Sequence, residues 1–112
     1  IEEMRLLHAR FPQNIQLFIA RQTATLLAGA VVYDYGATVH TQYLATSKLG
    51  RQQHALDALL HKLITERYAH RGYFDFGKST EHDGRYLNTN LIYQKEGFGG
   101  RTVCCDTYEC TL

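Results

Sequence analysis

Residues 43 to 55 read Tyr43-Leu44-Ala45-Thr46-Ser47-Lys48-Leu49-Gly50-Arg51-Gln52-Gln53-His54-Ala55, and the character of the sequence changes inside this stretch. Before it lie apolar runs rich in β-formers: Ile15 to Ala20, Leu26 to Tyr33 and Thr38 to Ala45. Gln22 to Thr25 is a polar hinge between the first two, and Asp34-Tyr35-Gly36 is a turn before the third. Strands joined by such short links are antiparallel neighbours. After the stretch, Leu56, Leu59, Leu60, Leu63 and Ile64 recur at the helical period, while Asp57, His61, Lys62 and Glu66 fall elsewhere. The quoted segment is therefore a strand turning into a long helix.

Outward from there, Gly72 closes the helix and Tyr73 to Phe76 reads as a short buried strand. Gly77 to Arg85 is a polar loop, Tyr86 to Glu96 a second helix ending at Gly97, and the tail from Thr102 to Leu112 a strand. Upstream, Glu2 to Ala9 carries acidic residues first and Met4 and Leu7 on one side, a short amphipathic helix stopped by Pro12. The sum is α+β: a mixed, mostly antiparallel sheet with a β-α-β crossover and flanking helices, in a single domain over residues 1–112. The chain opens at Ile1 inside a helix, so we expect it to be part of a longer protein.

Composition excludes several classes. The 112 residues carry a formal net charge of +1, too little for a nucleic-acid surface. No apolar run approaches the roughly 20 residues of a membrane helix, and the acidic residues after Ile1 lead us to expect no cleavable leader. Cys104, Cys105 and Cys110 are an odd count without scaffold or zinc spacing, which fits a reducing, cytoplasmic compartment and no metal. Alternation along a strand places the adjacent pair on opposite faces, one cysteine buried and one exposed.

Chemistry in an open sheet sits beyond the carboxyl ends of strands where connections diverge. Here that rim is Thr46 to His54 together with Gly77 to Arg85. Free amides at a helix start bind phosphate, Gly50 lets backbone approach, and Lys48 and Arg51 add positive charge. The plainer reading is a helix entry capped by Thr46 or Ser47. Asp75 between Phe74 and Phe76 points away from the ring face; a bond to loop backbone is its expected role. Ser79, His82 and Asp83 have the residue types of a hydrolase triad, but three residues in one short loop rarely converge. Tyr35 and Tyr43 are candidates to line a pocket for an apolar ligand group.

Near the end, Asn90-Leu91-Ile92-Tyr93-Gln94-Lys95-Glu96-Gly97-Phe98 contains apolar-Tyr-x-Lys-x-Gly-Phe. With Tyr43 to Ser47, Arg51 and Ala55, with Phe74 to Ser79, and with Asn88 to Gly100, the chain resembles the GCN5-related N-acetyltransferase (GNAT) superfamily. It most resembles the FemAB-like and BioF2-like acyltransferases, over about residues 13 to 110. The resemblance implies transfer of an acyl group, the acetyl of acetyl coenzyme A or the acyl of another acyl-CoA, to a small-molecule or peptide amine. It implies a thioester-binding segment of Leu44, Ala45, Lys48, Gly50, Arg51, Gln52, Gln53, His54 and Ala55 with Asn88, and Tyr93 as the acid that protonates the leaving thiolate.

The family's phosphate loop reads Gln/Arg-x-x-Gly-x-Gly/Ala; this chain has His54 at a small-residue position. A complete member also has a further N-terminal strand and helix, which a preceding domain or a second copy in a homodimer would supply. No general base is named by the resemblance; Glu81, His82, Asp83 and His40 are available. Two alternatives remain: a FemAB-like aminoacyl transferase, and a GNAT-like binding or assembly module without catalysis.

Overall fold

A computed structural model describes all of residues 1–112, and its contacts divide the chain into two units, Ile1–Lys78 and Ser79–Leu112. The fold is α+β, with a mostly antiparallel sheet and four α-helices. No helix is long and apolar enough to cross a membrane.

In the first unit, α1 (Glu2–Arg10) precedes strands β1 (Ile15–Gln22), β2 (Thr25–Asp34) and β3 (Thr38–Thr46). Helices α2 (Lys48–Gln52) and α3 (Ala55–Lys62) follow, then a π-helical turn at Leu63–Arg67 and strand β4 (Tyr73–Asp75). The sheet order is β1-β2-β3-β4; the first two pairs are antiparallel and β3 runs parallel to β4. The short links forced the meander, while the α2–α3 crossover reverses direction and makes the last pair parallel.

Cross-strand partners share a face, so the register sorts the side chains. Ala28, Ala30 and Val32 of β2 face the same side as Ala20 and Phe18 of β1. All three β2 residues are buried, and their small size lets the helical layer approach. Leu56 and Leu59 of α3 pack on a cluster of Leu27, Ala28 and Ala55, and Leu60 and Leu63 are buried in the core. The π-turn closes with the Tyr68 amide donating to the Leu63 carbonyl at 2.8 Å. It leaves Tyr68 5% exposed, edge-on to Phe18 at 6.0 Å and beside Phe74 at 6.3 Å. The Tyr68 hydroxyl is buried without a hydrogen-bond partner, and Arg67 lies over the ring at 5.6 Å. Burial holds that hydroxyl above its ordinary pKa of 10.0.

The opposite face is thinly covered. α1 buries no residue of its own and docks by two bonds: Tyr33 Oη donates to Met4 Sδ at 3.3 Å, and His8 Nδ1 to the Ile15 carbonyl at 2.8 Å.

Two first-unit expectations need correction. The helix ends at Arg67, not at Gly72, because the π-turn spends the helical path in seating Tyr68. Gly72 lies instead where the chain passes the Ala37 carbonyl, which takes the Tyr73 amide at 3.1 Å. β4 is not buried: it is a three-residue edge strand whose Tyr73 is exposed.

The second unit holds a hairpin, β5 (Thr80–Glu81) with β6 (Tyr86–Leu87), and helix α4 (Thr89–Gly97). His82, Asp83 and Gly84 all take left-handed backbone at the hairpin turn. That hairpin consumes Tyr86 and Leu87, so the helix starts at Thr89 rather than Tyr86. Asn88 caps it, accepting the Leu91 amide at 3.0 Å. From Thr102 to Leu112 the chain forms no strand and is exposed. Its alternation had no neighbouring strand to pair with. Cys104, Cys105 and Cys110 are all exposed, which corrects the expected buried and exposed pair.

Candidate active site

β3 and β4 pair at three positions only: Thr38 with Tyr73, Val39 with Phe74, His40 with Asp75. β3 then runs six residues further, to Thr46, and leads directly into α2. The parallel pair therefore opens beyond His40 and Asp75, and Thr41 Oγ1 donates to the Asp75 carbonyl at 3.3 Å at the point of parting. Leu44 and Ala45 lie on the diverging part of β3 and are exposed. This is the place where connections diverge, at the carboxyl ends of two parallel strands.

The turn after β3 is held more tightly than its sequence suggests. The Ser47 amide donates to the Leu27 carbonyl at 2.8 Å, and Ser47 Oγ accepts the Gly50 amide at 3.0 Å. The Arg51 amide donates to the Ser47 carbonyl at 2.9 Å. Ser47 is thus the cap, and Thr46 Oγ1 donates to the Leu27 carbonyl at 3.3 Å. Gly50 does permit a close approach, but to β2: a Cβ there would overlap the Leu27 carbonyl group and lie 2.9 Å from Thr46 Oγ1. Ala55 is buried against Leu27 and Ala28. Gly50 and Ala55 are therefore packing residues rather than ligand contacts. Both face inward, toward β2.

What faces outward is side chain. Lys48, Arg51, Gln52 and Gln53 are exposed, and neither Lys48 nor Arg51 forms an ion pair. His54 occupies left-handed backbone at φ 53 and ψ 35, between α2 and α3. That conformation costs a β-carbon-bearing residue on the order of 1–2 kcal/mol. The imidazole does not fill the turn; it is exposed and bonds Asp57 at 3.3 Å. A diphosphate at this turn would be held by the Lys48 and Arg51 side chains, with the Gly50 and Arg51 amides already engaged.

Next to the parting strands sits a pair the sequence did not join. His40 Nδ1 and Asp75 Oδ2 are 2.7 Å apart, and Asp75 Oδ1 accepts the Gly77 amide at 2.7 Å. The backbone bond is the one expected for Asp75, since alternation with Phe74 and Phe76 aims it away from the rings. The bond to His40 depends on the β3–β4 register, which no local pattern encodes. A sequence signal existed only in the two strands' separate alternations.

Tyr33 pairs with His40 and Val31 with Tyr43 across β2 and β3, with a bulge between, so His40 and Tyr43 share the face that α1 partly covers. Tyr43 lines a groove of about 580 Å³ there with Met4, Ile15, Leu17 and Val31. Tyr35 is not in that lining; it stands edge-on to Tyr33 at 6.3 Å. Burial, then Tyr43, Tyr35 and Glu3, hold the Tyr33 hydroxyl above its ordinary range.

In the second unit, Tyr93 is 79% exposed on α4. Asn88 is fully engaged: besides capping α4, its amide donates to Glu81 at 2.7 Å. Lys95 Nζ donates to Ser79 Oγ at 3.0 Å. His82 stacks edge-on to Tyr86, and Ser79, His82 and Asp83 make no hydrogen bond to one another. Glu81 is likewise taken by Asn88.

No protein-family model matches this sequence, and no curated protein matches it.

Proposed function

We propose that this chain carries the thioester-binding part of a GNAT-like N-acyltransferase, moving an acyl group from acyl coenzyme A to an amine. The observation that carries this reading is the three-position parallel pair of β3 and β4, which opens at His40 and Asp75 and is bridged by a strand–turn–helix crossover. An extended thioester arm can lie in such an opening, hydrogen-bonded to β3 as a missing strand would be. Lys48 and Arg51 at the end of β3 supply charge for its phosphates. The resemblance assigns the proton for the departing thiolate to Tyr93, an exposed phenol. Acyl coenzyme A and free thiols both suit the cytoplasm, where we place the chain.

A second reading, a binding module without catalysis, is favoured by the amides of Gly50 and Arg51 being bonded within the chain. Thermal unfolding with and without acetyl coenzyme A separates the two. A ligand that binds only the native state raises the melting temperature by mass action. Acyl transfer requires a rise that grows with ligand concentration; an unchanged melting temperature at millimolar ligand supports the module.

A further inference from the structure

We propose that His40 is the general base of this site and that Asp75 is the residue that positions it, an assignment that rests on the acyl-transfer reading above. A carboxylate at Asp75 only accepts, so the 2.7 Å bond places a proton on Nδ1 of His40, and in the neutral ring Nε2 then holds the lone pair. Asp75 is itself fixed, because its other oxygen holds the Gly77 amide at 2.7 Å. Gly77 fits this duty twice. Its φ of +72 suits glycine, and a Cβ there would lie 3.2 Å from His40 Cε1, against the imidazole. The pair occupies the last rung of the β3–β4 ladder, where the strands part. The His40 side chain is 24% exposed, shielded yet reachable. It shares a sheet face with Tyr43 and its apolar groove, a path for the body of an acceptor amine.

In the step, Nε2 takes one proton from the acceptor ammonium and passes it to solvent. The freed nitrogen lone pair forms the N–C bond to the acyl carbon. The C–S bond breaks with its electron pair on sulfur, which takes a proton from solvent as the second proton leaves nitrogen for solvent.

The test uses acetyl coenzyme A with 2-phenylethylamine as probe acceptor, following coenzyme A release by chromatography and acetyl coenzyme A affinity by calorimetry. His40→Gln is expected to lower kcat by about 10²–10⁴-fold with affinity unchanged. Added imidazole restores part of the turnover of His40→Ala and none to Tyr93→Phe. Asp75→Asn lowers kcat by about 10–100-fold without changing affinity. Turnover within threefold of wild type in a folded His40→Gln overturns the assignment and leaves acyl transfer standing. A wild type that does not bind acetyl coenzyme A overturns both, and one that binds it but turns over neither amine nor water overturns the base. Nitrogen-15 spectra of the wild-type chain decide independently of any variant's folding: the proton belongs on Nδ1, and a proton on Nε2 of the neutral ring overturns the proposal.

Discussion

Single side chains divide here between those spent on packing and those left for a ligand. Tyr68 is at one extreme: its ring closes the core between Phe18 and Phe74, and its hydroxyl is buried with nothing to bond. Tyr68→Phe keeps the ring and removes the unsatisfied group, so unfolding in urea should show a gain on the order of 1 kcal/mol. The same hydroxyl has a pKa raised in the fold by burial. An acid with a raised folded pKa contributes stability that is complete below the unfolded value, 10.0, and is lost as pH rises through the folded one. Alkaline melting curves should therefore fall less steeply for Tyr68→Phe than for wild type. At the other extreme are the side chains of Arg51 and Tyr93, which are exposed. Arg51→Ala should weaken acetyl coenzyme A by on the order of 1.5–3 kcal/mol, the loss of one charge-assisted bond, with an unchanged melting temperature. Equal dissociation constants by calorimetry remove Arg51 from the site. Tyr93→Phe should bind the donor as wild type does and turn over more slowly; equal rates take Tyr93 out of the reaction.

At the scale of elements, the turn between β3 and α2 is the most constrained piece. Gly50 presses on the Leu27 carbonyl, so Gly50→Ala has to push α2 off β2. A loss of at least 2 kcal/mol in chemical denaturation is expected, in the range of overpacked cores. A loss below about 0.5 kcal/mol would mean that the turn is looser than this. The sequence made the strands legible because each is an apolar run between turn residues, and β1, β2 and β3 fall within two residues of their expected ends. Elements that depend on partners were not legible. Thr102 to Leu112 alternates like a strand but has no neighbour to pair with, and Tyr86-Leu87 was drawn into a hairpin by the left-handed turn at His82, Asp83 and Gly84. The glycine at position 50 signals a close approach of backbone. Which backbone it approaches, that of β2 or that of a ligand, is a tertiary fact.

For the molecule as a whole, the meander, the crossover and the parallel β3–β4 pair form one unit, and the hairpin with α4 forms another. His40, Asp75, Lys48 and Arg51 belong to the first, and Tyr93 to the second. The His40–Asp75 pair could not be read from the sequence, because its partners are 35 residues apart and meet only through a parallel register. The central claim is that the opening of β3 from β4 accepts a thioester arm along β3. Amide hydrogen exchange read residue by residue, with and without acetyl coenzyme A, tests it most directly. The account requires slower exchange within Thr41 to Thr46 when the ligand is present, with β1 unchanged. Exchange along Thr41 to Thr46 that is identical with and without saturating ligand would contradict it.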